Sequence, residues 1–168
     1  MSTKTASVTL DGEHLRFVGR TGSGHRVVLD ATEGDAGPRP AELVPLALAG
    51  CTAMDVISIL RKKRQEVTHY EVRASGTQRD EAPAIFTRIE VVHDLEGPAL
   101  DVAAVRRSIE LSATRYCSVG STLGSGVTEI HHRYVVRDGT GAEPLVGEVV
   151  VLGPNGLVEV SMREATIV

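Results

Sequence analysis

The sequence predicts an α+β domain whose strands and helices occupy separate layers. Three observations point there. Short strand-like runs fill both ends of the chain; one long apolar helical run interrupts them near position 50; and a second, amphipathic helical stripe follows later. The resulting order is strands, helix, strands, helix, strands, which segregates rather than alternates the two element types. With 168 residues the chain is long enough to bury a core as one domain.

The first thirty residues read as strands. ASVTL (6–10) alternates, LRFVG (15–19) follows the turn residues Asp11 and Gly12, and HRVVLD (25–30) follows a Gly-Ser-Gly turn. ATEGDAGPRP (31–40) is a loop dense in Gly, Pro and acids, ending at Pro40, a natural first residue for a helix.

From 41 to 65 the pattern is helical and apolar on nearly all sides, so this helix is buried within the domain or at a subunit interface. Pro45 fits only if it lies in the first turn, where amides lack partners anyway. The basic run RKKR (61–64) closes the helix and reads as a solvated end that complements the helix dipole. HYEVRASGTQ (69–78) and FTRIEVVHDL (86–95) read as strands joined by RDEAPA.

A second helix starts at Asp101, a capping residue, with a stripe of Val102, Val105, Ile109, Ala113 and Tyr116. It runs into YCSVGSTLGSG (116–126), a break with one short helix, and then the strand TEIHHRYVV (128–136). On that strand His131 and His132 point to opposite faces, so they do not share one metal, and both read as structural. Residues from 143 onward read as a β-hairpin turning at 153–156. The expected division is a main domain over 1–136 and a hairpin extension over 137–168.

Composition narrows the function. Hydrophobic residues make up 42% and aromatics only 3%, with no Trp, so the core is aliphatic. The chain has no stacking platform for single-stranded nucleic acid, and its net charge of −4 argues against nucleic-acid binding altogether. Neither a signal peptide nor a membrane span is expected, and the expected location is the cytoplasm. Two cysteines there are either inert buried thiols or one redox pair, not a permanent disulfide.

Cys51 lies mid-helix among Ala47, Gly50, Thr52 and Ala53, small residues that let another group approach its sulfur or simply let helices pack. Cys117 precedes a short helix, whose N-terminus lowers a thiol pKa. No CxxC and no metal-ligand spacing surrounds either cysteine, so no metal and no cofactor is expected. Asp55, one turn beyond Cys51, either faces the same site or caps a contact with a partner chain. Beside Cys51 it would raise the thiol pKa.

The stretch PAELVPLALAGCTAMDVISILRKKRQ, followed much later by LSATRYCSV, resembles the OsmC/Ohr family, and most nearly its YhfA-like branch. SGH and EAPAIFTRI fit that branch as well, and the resemblance covers roughly residues 14–136. It implies an OsmC-like fold: an intertwined homodimer with two sheets packed around long central helices. It also implies a thiol-dependent peroxidase acting on organic hydroperoxides and reduced by dihydrolipoyl groups or small thiols. By resemblance Cys51 attacks the peroxide, and Cys117 resolves the sulfenic acid as a disulfide. Arg20, in VGRTG, matches the arginine that holds the thiolate, with Arg26 a second candidate. The family's peroxidases carry a glutamate directly after the helix-opening proline to orient that arginine. Here that position is Ala41, and the orienting interaction is either absent or rebuilt with Glu42, about 100° further round the helix. This departure supports an alternative: a catalytically weakened dimer that binds a small apolar ligand without peroxidase turnover.

Overall fold

The computed structural model describes residues 2–12 and 14–160, so the last eight residues of the expected hairpin extension lie outside the described residues. The chain divides into two compact units, Met1–Val44 and Pro45–Val168.

The first unit is a three-stranded antiparallel meander of β1 (Ala6–Leu10), β2 (Phe17–Thr21) and β3 (Arg26–Leu29). Phe17 pairs with Leu10 on one side and Leu29 on the other. The loop after β3 is folded by buried Asp30, whose carboxylate accepts from the amides of Ala31 (2.8 Å) and Ala36 (3.1 Å). It ends in a 3-10 turn, Pro40–Glu42. Within this unit Val8, Leu10, Leu15 and Val27 stay exposed, and Val8, Leu15, Phe17, Leu29 and Pro40 line an apolar groove of about 610 Å³. A small meander has too few side chains to cover its own apolar face.

The second unit begins within α1 (Leu43–Lys62), and Pro45 does fall in its first turn. Leu48, Thr52, Val56 and Leu60 recur every fourth residue and are all fully buried, forming one stripe against the sheet. The opposite side carries Leu46, Ala47, Gly50 and Met54, all exposed, and a Cβ built on Gly50 would touch nothing within 4 Å among the described residues. The helical segment Pro40–Lys62 is long and apolar enough to cross a membrane by composition, where the sequence reading expects no such segment. Its zero-exposure stripe packs into protein.

The sheet runs β4 (His69–Gln78), β5 (Phe86–Glu96), β6 (Glu129–Arg137), β7 (Leu145–Gly153), β8 (Gly156–Glu159) in spatial order. All neighbours are antiparallel except β5 and β6, which are parallel. A parallel pair needs a crossover, and here it carries α2 (Val102–Leu111), a π-helical turn (Ser112–Tyr116) and α3 (Ser118–Gly124). Asp101 caps α2 as expected, its carboxylate accepting from the Ala103 amide at 2.9 Å. The core joins Val56 and Leu60 of α1 to Leu95, Val105, Ile109, Tyr134, Val136, Val149 and Val150. Each such side chain contributes about 1.5–3 kcal/mol on burial.

The terminal hairpin turns at Gly153–Gly156 as expected, with Gly156 at φ +88°. It is an integral part of the sheet, because β7 pairs along β6 and buries Val149 and Val150 in the core. The Arg106 side chain of α2 donates to the carbonyls of Glu148 (2.9 Å) and Val160.

Candidate functional site

Two elements build the site. Helix α1 supplies Cys51 and Asp55, which face the same way because they are four residues apart. The crossover supplies Cys117. The sulfurs of Cys51 and Cys117 and a carboxylate oxygen of Asp55 all lie within 4.8 Å of one another. Of the two readings left open for Asp55, the fold selects the one facing the thiols. Both cysteines are free; Cys117 is buried and Cys51 half-buried.

Asp55 is fixed from behind. The Ser112 hydroxyl donates to its Oδ2 at 3.0 Å, and Thr52 Oγ1 lies 2.9 Å from Ser112 Oγ. Since the serine proton is committed to the carboxylate, the threonine hydroxyl donates to the serine oxygen. The Ser112–Thr52 pair thus fixes the carboxylate that faces the two thiols.

Cys117 stands at the N-terminus of α3, and its sulfur accepts from the Gly120 amide at 3.3 Å. The sequence expectation of a lowered thiol pKa is overturned. Burial, reinforced by the hydrogen bond to Cys51 and opposed by the Gly120 amide, pushes the Cys117 thiol up to about 12. The charges of Cys51 and Asp55 push the same way. At neutral pH Cys117 therefore keeps its proton.

Beneath the helices runs a buried polar line that sequence alternation does not reveal, because its members occupy positions that read as core. The Tyr70 hydroxyl meets His93 Nδ1 at 2.8 Å, and His93 Nε2 lies 3.5 Å from His132 Nδ1. His132 Nε2 is buried without a partner among the described residues. Burial holds both imidazoles neutral, His132 at about 4 and His93 well below its ordinary value. The Tyr70 hydroxyl is raised, first by burial and then by the Asp55 charge. His131 faces the other way, between Glu148 (2.7 Å) and Glu129 (2.9 Å), so the two histidines do occupy opposite faces.

The remaining predicted residues lie in the first unit. Arg20 is exposed on β2, directly across from Arg26 on β3. Glu42 is exposed, and its carboxylate accepts from the Arg39 backbone amide at 2.7 Å and from the Arg39 guanidinium at 3.2 Å. That amide holds the Glu42 carboxyl below its usual value. The arginine that Glu42 engages in this unit is thus Arg39, a residue the sequence reading passes over; Arg39 also bonds Thr32 at 3.2 Å.

A family model described as OsmC-like protein matches residues 32–132, a span containing both cysteines and Asp55. Protein YhfA of Escherichia coli K12 is 44% identical over 124 residues, covering 74% of this chain and 92% of that protein. The crystal structure of a hypothetical protein from Aquifex aeolicus superposes with a TM-score of 0.72 at 27% identity, covering 81% of this chain and 97% of that one. An organic hydroperoxide resistance protein from Elizabethkingia anophelis superposes at 0.58 with 13% identity, over 82% of this chain and 96% of that one, which shows a shared fold. The paired thiols, the crossover that carries one of them and these likenesses converge: the chain is a member of the OsmC family, which includes organic hydroperoxide resistance proteins.

Proposed function

We propose that the protein is a thiol-dependent peroxidase that reduces organic hydroperoxides. The observation that carries this reading is the meeting of two sequence-distant thiols within 4.8 Å, one half-buried and one buried. The half-buried sulfur is accessible to a substrate; the buried one is protected until the first is oxidised. In this reading the Cys51 thiolate attacks the peroxide, the O–O bond breaks, and the alcohol leaves with a proton. Cys51 is then a sulfenic acid. The Cys117 sulfur attacks it, water leaves, and a disulfide forms. Because Cys117 holds its proton at neutral pH, that attack needs a base, and the Asp55 carboxylate is the nearest one. A dihydrolipoyl or small-thiol reductant returns both thiols.

Arg20 is assigned the thiolate-stabilising role and Glu42 its orientation, with Arg39 as competitor for Glu42. The exposed face of Leu46, Gly50 and Met54 on α1 supports an intertwined homodimer. A reducing cytoplasm suits two free thiols. The chain is read as an OsmC-like domain over 1–136 whose sheet is completed by the hairpin of 137–168.

The test is consumption of cumene hydroperoxide in the presence of dihydrolipoamide. Turnover is expected, and Cys51→Ser removes it. A folded protein that consumes no hydroperoxide with this reductant overturns the reading. The Asp55 carboxylate beside the thiols and the Glu42–Arg39 pair favour a second reading, a dimer that binds an apolar ligand without turnover.

A further inference from the structure

We propose that Cys51, Cys117 and Asp55 form a binding site for a thiophilic divalent cation, with zinc the best match. The proposal goes beyond the peroxidase reading and does not rest on it. Sequence spacing hides the site, since two ligands come from one turn of α1 and the third from the crossover far along the chain. The fold brings two sulfurs and one carboxylate oxygen within 4.8 Å of one another.

Zinc takes sulfur ligands at about 2.3 Å and carboxylate oxygen at about 2.0–2.2 Å in tetrahedral geometry, which sets its ligand atoms roughly 3.5–3.8 Å apart. The cluster is therefore nearly closed around such an ion already. Two thiolates and a carboxylate prefer a soft, four-coordinate cation over magnesium or calcium, which seek oxygen. Three protein ligands leave a fourth position free for water or a small molecule.

The surroundings are those of a supported ligand set. Ser112 holds Asp55 at 3.0 Å and Thr52 holds Ser112 at 2.9 Å, so the carboxylate is oriented by hydroxyls that remain available when its other oxygen coordinates. The Gly120 amide supports the Cys117 sulfur at 3.3 Å. Charge balance argues the same way. Two thiolates and a carboxylate are three negative charges in a half-buried cluster, and a dication leaves only one. Binding therefore displaces the proton that Cys117 holds, with no change of oxidation state. The same two sulfurs make a disulfide, so ion and disulfide exclude each other.

The test is titration of cobalt(II), as a spectroscopic stand-in for zinc, into the reduced full-length protein without oxygen. The expected result is one equivalent bound per chain. It shows as a near-ultraviolet sulfur-to-cobalt charge-transfer band with intense visible bands of a tetrahedral ion, displaced by zinc, and as release of protons. Asp55→Asn weakens binding by about tenfold or more, and Cys51→Ala abolishes the charge-transfer band. Both variants are checked for an unchanged circular dichroism spectrum, because neither empties the buried Cys117 position. Absence of the band in the unmodified protein, or a band undiminished in both variants, overturns the proposal. The readout uses no peroxide, so its failure leaves the peroxidase reading standing, and loss of peroxide turnover leaves this one standing.

Discussion

The Ser112 hydroxyl donates a 3.0 Å hydrogen bond to the Asp55 carboxylate and so ties the crossover to α1 beside both thiols. The bond lies between elements far apart in sequence, and it decides which way the acid points. Removing the acid's charge removes one of the influences that hold the Cys117 proton, the smallest of them. Asp55→Asn is expected to raise the thiolate fraction of Cys117. Alkylation rates of the folded protein at a fixed, strongly alkaline pH, resolved by cysteine with mass spectrometry, measure it. A slower Cys117 reaction in the variant contradicts the assignment.

The two thiols differ in access and in proton affinity. In the reduced native protein a neutral alkylating reagent is expected to modify Cys51 first. Cys117, 1% exposed and with its thiol near 12, becomes reactive only on unfolding or in strong alkali. Equal labelling of both at pH 7 in folded protein refutes this.

His132 gives stability a pH dependence. Its folded pKa is about 4, below the ordinary 6.5, so between those values the unfolded chain binds a proton that the folded chain refuses. Stability is full above about 6.5, falls as pH drops towards about 4, and levels below that, by an amount on the order of 3 kcal/mol for this group. His132→Gln is expected to flatten that slope in denaturant melts across the window. An unchanged slope places the acid sensitivity elsewhere.

The terminal hairpin is a core element. Deleting 138–168 removes Val149 and Val150, at 4% and 0% exposure, and uncovers β6. Loss of cooperative unfolding is expected, well beyond a change in assembly. A milder cut, Val150→Ala, is expected to cost about 1–3 kcal/mol. A deletion variant with an unchanged melting curve contradicts this placement.

If α1 carries the dimer contact, Met54→Asp changes the assembly and leaves the fold intact, because Met54 is 74% exposed in the chain. Sedimentation is expected to shift from dimer to monomer with the same circular dichroism. A monomeric unmodified protein excludes the contact.

Much of this was legible in the residues. The strand boundaries of β4 follow from alternation, Asp101 announces α2, and Pro45 sets where α1 starts. The short helix after Cys117 is also readable, but the sign of its effect on the thiol is not. Helix geometry is local, whereas burial is tertiary, and here burial wins. Asp55 beside two sulfurs needs the parallel β5–β6 pairing, which no local pattern encodes. The Tyr70–His93–His132 line is hidden for the opposite reason, because its members sit where strand periodicity calls for apolar core.

Gly50 bears on the outer face of α1. Mid-helix glycine costs about 1 kcal/mol against alanine, and nothing among the described residues would crowd a methyl group there. The residue therefore works as a built-in reporter. In an isolated chain Gly50→Ala makes the helix sturdier, while in an assembly that presses another backbone against this spot the same methyl group acts as a wedge. The sign of one melting shift thus tells whether the helix has company.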